Sequence, residues 1–106
     1  MASSKEYLDY VLEQISGAGD ISFRPMMGEY IIYRAGKVIG GIYDDRFLLK
    51  PTASALSLLP DAPRELPYEG AKEMLLIEEL DDKPLVCGLV KAVADDLPEP
   101  RRKNKR

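Results

Sequence analysis

Apolar side chains recur at helical spacing near the start of the chain. Tyr7, Leu8, Val11, Leu12 and Ile15 share one face, with Glu6, Asp9, Glu13 and Gln14 elsewhere. The spacing predicts a helix from about Ser4 to Ser16. Ser3-Ser4-Lys5-Glu6 fits a capping box at its start, and Gly17 and Gly19 fit its end. The period then changes to that of strands. Ile21 to Arg24 is a short strand candidate that Pro25, lacking a backbone donor, interrupts or places at a sheet edge. Glu29 to Arg34 and Val38 to Tyr43 are rich in β-branched and aromatic residues. Ala35-Gly36 reads as a tight turn between them, and Asp44-Asp45 turns the chain again into Arg46 to Lys50. Strands joined by such short turns are expected to be antiparallel neighbours. Gly40-Gly41 predicts a bulge or a close approach by another element, since glycine otherwise weakens a strand.

Beyond Pro51, Thr52 is placed to cap a short helix carrying Ala55, Leu56 and Leu59, which Pro60 closes. A loop with three prolines runs to Gly70, and Met74 to Glu78 reads as a further strand. Asp81 or Asp82 caps a last helix with Pro84 in its tolerated first turn. Its broad apolar face comprises Leu85, Val86, Leu89, Val90, Val93, Ala94 and Leu97, and Pro98 and Pro100 stop it. The predicted fold is α+β in two layers, a mainly antiparallel sheet with helices packed on one face. Its element order is α-β-β-β-α-β-α, with room for one further strand. Residues 1–97 form one domain, and 98–106 are expected to be a disordered basic tail.

Charge sharpens that division. The 106-residue chain carries −3. Five of the last eight residues are basic (Arg101, Arg102, Lys103, Lys105 and Arg106) against one acid, leaving −7 on the rest. Such a body repels phosphate backbones, so nucleic-acid binding is expected at most weakly and without selectivity, through the tail. Histidine is absent, which removes Ser-His-Asp and Cys-His catalysis and histidine metal ligation. The single cysteine, Cys87, excludes an intrachain disulfide and any multi-cysteine zinc site. One thiol and no recognisable signal peptide point to a reducing cytoplasm. No apolar run approaches the roughly 18–20 residues of a membrane span, so no membrane partner is expected.

Few residues stand out chemically. Met26-Met27, between Pro25 and Gly28, offers a soft contact surface or a thioether pair for a metal. The plainer reading has Met26 packing inward and Met27 covering an adjacent gap, while Gly28 permits the bend before the next strand. Tyr30, Tyr33 and Tyr43 with Arg24, Arg34 and Arg46 suggest single-strand recognition, but Tyr30 and Tyr33 are an odd number apart and so face opposite sides. Cys87 fits a small packed hydrophobe better than a reactive thiol. The run Glu78, Glu79, Asp81 and Asp82 lacks calcium-loop spacing and fits capping and solvation. "GKVIGG" lacks the spacing of a phosphate loop. No catalytic, cofactor or metal residue is assigned.

Arg24-x-Met26-Met27-Gly28, "GGIYDDRFLLKP" (Gly40 to Pro51) and "PYEGAKEM" (Pro67 to Met74) together resemble the N-terminal domain of the TfoX/Sxy family. The usual first motif there is R-x-M-F-G, and this chain has Met27 in place of the phenylalanine. The likeness runs from the first helix to about Leu97. It implies an α+β fold and a link to regulation of natural competence, in which full-length members act as transcriptional co-regulators. Those members carry a second domain of DNA-binding character. Here only the short basic tail follows Leu97, so the expectation is a stand-alone N-terminal domain. The function expected is non-catalytic and cytoplasmic, through protein–protein interaction. The partner is an unidentified protein or a second copy in a homodimer, and the candidate contact surface is Arg24, Met26, Met27 and Gly28. The alternative is a small-ligand-binding domain or an enzyme of unrecognised chemistry.

Overall fold

The computed structural model describes residues 3–98. Helix α1 spans Lys5–Ile15 and continues into a 3-10 turn, Ser16–Ala18. Four strands follow: β1 (Ile21–Met26), β2 (Glu29–Arg34), β3 (Lys37–Ile42) and β4 (Phe47–Leu49). Helix α2 (Ala53–Leu58), β5 (Arg64–Glu65), β6 (Met74–Leu76) and α3 (Lys83–Asp96) complete the chain. All six strands pair antiparallel in the order β1-β2-β3-β4-β6-β5. The fold is the α+β arrangement expected, with four strands before α2. The Ile21 candidate is a full strand that runs through Pro25, and β5 is the further strand.

The first three connections are two-residue hairpins. Met27-Gly28, Ala35-Gly36 and Asp44-Asp45 each place both residues at positive φ, the pattern of type I′ turns whose twist suits flanking strands. Pro25 is tolerated because β1 is an edge strand. In a two-residue hairpin closed by Met26 and Glu29, residues 22, 24 and 26 bond to β2, and Pro25 faces outward where no donor is needed.

Gly40-Gly41 marks both a bulge and a close approach. Ile32 pairs with Gly40 but Tyr33 pairs with Val38, so Ile39 is an extra residue in β3. A Cβ at Gly40 would lie 2.1 Å from the carbonyl oxygen of Leu48, and at Gly41 2.7 Å from the Tyr43 ring. Neither position has space for a side chain.

One face of the sheet carries the core. Ile32, Ile42, Phe47, Leu49, Leu75 and Ile77 are buried there against Leu8, Val11 and Ile15 of α1, Ala55 of α2, and Val86, Leu89, Val90 and Val93 of α3. α1 and α3 therefore pack on the same side. Leu85 and Leu97 lie only half-buried at the margins of the α3 face. Caps follow the residue types present. Thr52 accepts from Ala55 N–H and Asp82 from Leu85 N–H, each opening a helix.

Two local expectations are corrected. The capping box at Ser3 does not form. Ser4 is the N-cap of α1 and accepts from Tyr7 N–H, because the Ser3 hydroxyl is engaged by the Glu29 carboxylate and Asp45 N–H. The methionines do not fill a gap. Met27 is 97% exposed at the tip of the β1–β2 hairpin and Met26 is 37% exposed, since strand alternation turns Met26 away from the helices. Among the described residues, no helix is long and apolar enough to cross a membrane. Beyond Pro98, the expected basic tail lies outside the described residues.

Candidate functional site

The helix-free face of the sheet is where side chains converge without belonging to the core. Residues paired across strands share a face, and the chain of partners Arg24, Ile31, Gly41, Leu48 and Leu76 runs across this side. Leu48 is fully buried here although it lies outside the helix-side core.

Loop 66–73 helps form a pocket on this face of about 480 Å³. Val38 and Met74 supply apolar lining, Tyr43 and Tyr68 aromatic walls, and Lys50 and Lys72 cationic groups, beside the carboxylate of Glu73. A volume of this order is in the range of small-molecule sites.

Local structure explains how these residues are placed. The Tyr43 ring lies against Gly41, where any side chain would displace it. Arg46 donates from Nε to the Tyr43 carbonyl at 3.1 Å, and its Nη1 meets Glu65 Oε1 at 2.7 Å. One arginine thus ties the β3–β4 hairpin to β5, just before loop 66–73. The loop turns on itself through Ala71 N–H to the Tyr68 carbonyl at 3.1 Å, with Gly70 at φ +87°. Pro67 is buried, so the turn is anchored, and Tyr68 stands 59% exposed. The centroids of Tyr43 and Tyr68 are 6.1 Å apart with planes inclined at 60°.

Tyr43 is only 8% exposed. Burial raises its hydroxyl above the usual phenol range, and the nearby Tyr68 and Glu29 act in the same direction. It remains a neutral donor. The Tyr43 hydroxyl has no hydrogen-bond partner among the described residues, and neither do the ammonium groups of Lys50 and Lys72. These are polar groups at a concave surface whose bonding capacity the protein leaves unused.

The residues singled out by sequence are distributed differently. Arg24 and Met26 lie on this same helix-free face, toward the β1 edge, while Met27 and Gly28 form the hairpin turn. They do not line the pocket. Tyr30 packs against the helix-side core and stacks edge-on with Phe23 at 5.9 Å, so Tyr30 and Tyr33 do face opposite sides. Cys87 is half-buried, its thiol donating to the Gln14 carbonyl at 3.4 Å between α3 and α1. In the acidic run, Asp82 caps α3 and Asp81 accepts from the Tyr10 hydroxyl at 2.5 Å. Among the described residues, no three His, Cys, Asp or Glu side chains gather as a metal would require.

The pocket residues were missed as a site because none carries a signal alone. Their signal lay in the two segments "GGIYDDRFLLKP" and "PYEGAKEM", distant in sequence, which meet here and supply most of the lining.

No family model matches the chain. Over 102 residues it is 30% identical to an uncharacterized 12.7 kDa protein in the trpE 5′ region of Spirochaeta aurantia. The match covers 95% of this chain and 89% of that protein. The two belong to one family. Since the matched stretch takes in almost the whole chain, the shared region includes the sheet, the helices and the pocket-lining loop.

Proposed function

We propose that this chain is a non-catalytic regulatory domain of the TfoX N-terminal type, working in the cytoplasm by holding a partner protein on the helix-free face of its sheet. The observation that carries this reading is the convergence of the two later resemblance segments on one pocket. The first segment, Arg24 to Gly28, ends the same sheet, with Arg24 and Met26 on the same face. Arg24, Met26 and the projecting Met27 extend the proposed contact surface from the pocket toward the hairpin tip. Methionine is an adaptable contact residue when exposed, which suits such a role. The partner is a regulatory protein or a second copy of the chain, and competence-type regulation is the setting the resemblance favours.

Affinity capture from a host lysate tests this, comparing the intact chain with Tyr68→Ala, Lys50→Glu and the helix-side control Glu13→Lys. The intact chain and the control should enrich the same protein, and the two pocket variants should enrich it at least about tenfold less, as for loss of an anchoring contact. Enrichment indifferent to the pocket variants, or no enrichment at all, contradicts the proposal.

One observation favours a second reading, a small-ligand-binding domain. The site is a concavity of about 480 Å³ with unused hydrogen-bonding groups, and a flat protein contact requires neither.

A further inference from the structure

The electrostatics of the pocket run against those of the chain. A body of net −7 outside its last eight residues repels anions, yet the pocket sets two ammonium groups, Lys50 and Lys72, against the single carboxylate of Glu73. Neither lysine is engaged by a protein acceptor among the described residues. The neutral Tyr43 hydroxyl, without a hydrogen-bond partner among the described residues, adds a further donor.

Apart from Thr52, the remaining lining is apolar or aromatic. Tyr43 lies along the backbone of β3 because residue 41 is glycine, and Tyr68 stands at 60° to it on the anchored turn of loop 66–73. Two inclined rings with Val38 and Met74 nearby make a corner that receives a third ring in edge-to-face and offset contact. Aliphatic chains gain no such geometry from tilted aromatic walls.

We infer that this pocket binds a small aromatic anion, a ring bearing a carboxylate or a phosphate, with its ring against Tyr43 and Tyr68 and its charge toward Lys50 and Lys72. The inference rests on the small-ligand reading above and gives that ligand its chemistry. Both anions accept from ammonium and phenol donors, so the shared requirement is a negative group adjoining a flat apolar body.

Titration of the ¹⁵N-labelled full chain tests it, following the amide resonances of Gly40, Gly41, Tyr43 and residues 68–74. The probes are benzoate, phenyl phosphate, benzyl alcohol, benzylamine and inorganic phosphate. Benzoate, phenyl phosphate or both should shift these resonances saturably, and the tighter of the two identifies the anion. Benzyl alcohol, benzylamine and inorganic phosphate should each bind at least about tenfold more weakly, because each lacks one half of the recognised chemistry. The Lys50→Glu/Lys72→Glu double variant should keep the spectrum of a folded protein and lose at least about tenfold in affinity for the aromatic anion. Tyr68→Ala should weaken it as well. If benzylamine or benzyl alcohol binds the pocket as tightly as benzoate, the anion preference is wrong while the small-ligand reading stands. If none of the probes moves these resonances, both fail. Binding that the lysine variant leaves unchanged also overturns the inference.

Discussion

Met27 occupies a backbone conformation that its side chain does not favour. It sits at φ +53° in the first position of a type I′ turn, where asparagine or glycine is the usual choice. With 97% of its surface exposed, it recovers little of that cost by packing. Met27→Asn should therefore stabilise the fold by about 0.5–1 kcal/mol, read from urea denaturation midpoints. A neutral or destabilising result would show that Met27 makes a contact in solution that compensates its strain. The Met-Gly pair was legible as a bend. Its exposure was not, because an apolar side chain in a single sequence is read as inward unless the turn type is known. Gly40 presents the opposite case. The double glycine announced close packing, and the Leu48 carbonyl lies where a Cβ would stand. Gly40→Ala should cost at least about 1–3 kcal/mol, because backbone cannot step aside as a side chain can. A loss under about 0.5 kcal/mol in the same assay would place the two strands farther apart than described.

Among the elements, α3 is the one on which the others lean. Leu89 is fully buried at the centre of its apolar face. Leu89→Ala should cost about 2–5 kcal/mol in chemical denaturation, and less than about 1 kcal/mol would mean the helix is not seated on the sheet. The far end of α3 is joined to α2 by Asp96, which accepts from Ser54 N–H at 2.8 Å and from the Ser54 hydroxyl at 2.9 Å. These donors, the Ser54 N–H first and then the Thr52 and Ser54 hydroxyls, hold its carboxyl below the ordinary aspartate value of 3.8. A lowered folded value stabilises the protein above that ordinary value and ceases to do so as pH falls through the folded one. Stability of the wild type should thus drop more steeply than that of Asp96→Asn as pH falls below the ordinary aspartate value of 3.8. Parallel declines would remove Asp96 from any role in the acid response. Both long helices and the hairpins could be read from periodicity and turn residues. β5 could not, since its two residues, in a three-residue stretch between Pro63 and Pro67, carry no period.

At the scale of the molecule, charge is divided between the folded body and its basic end. Duplex DNA titrated against the intact chain and a chain lacking residues 101–106 should show weak binding only for the former. Its log–log salt slope should be no steeper than about −4 to −5, because five basic residues displace only that many counterions. Tight, selective binding that survives the truncation would make the folded body itself a nucleic-acid reader. The pocket was the least legible feature of the whole. Its walls come from β3, the chain after β4 and a proline-bounded loop, and only long-range pairing of β6 beside β4 brings them together. Periodicity reports which way a side chain points, but not which distant segment it meets.

The order of strands has a last consequence, for how copies of this protein can meet. A sheet grows into fibrils by adding backbone to an open margin, and this sheet has two margins, β1 and β5. On β1 the outward donors are confined to residues 21 and 23, because Pro25 has none to give. On β5 the margin is two residues long and flanked by Pro63 and Pro67, too short to template a partner strand. Proline thus shortens the usable run of both margins, β1 through Pro25 and β5 through Pro63 and Pro67. Strand addition is thereby disfavoured at either margin, which leaves the faces of the sheet as the longer surfaces for self-association. An isologous contact between two such faces closes as a dimer, so light scattering at high concentration should show discrete oligomers, and filaments would reveal strand addition or a heterologous contact.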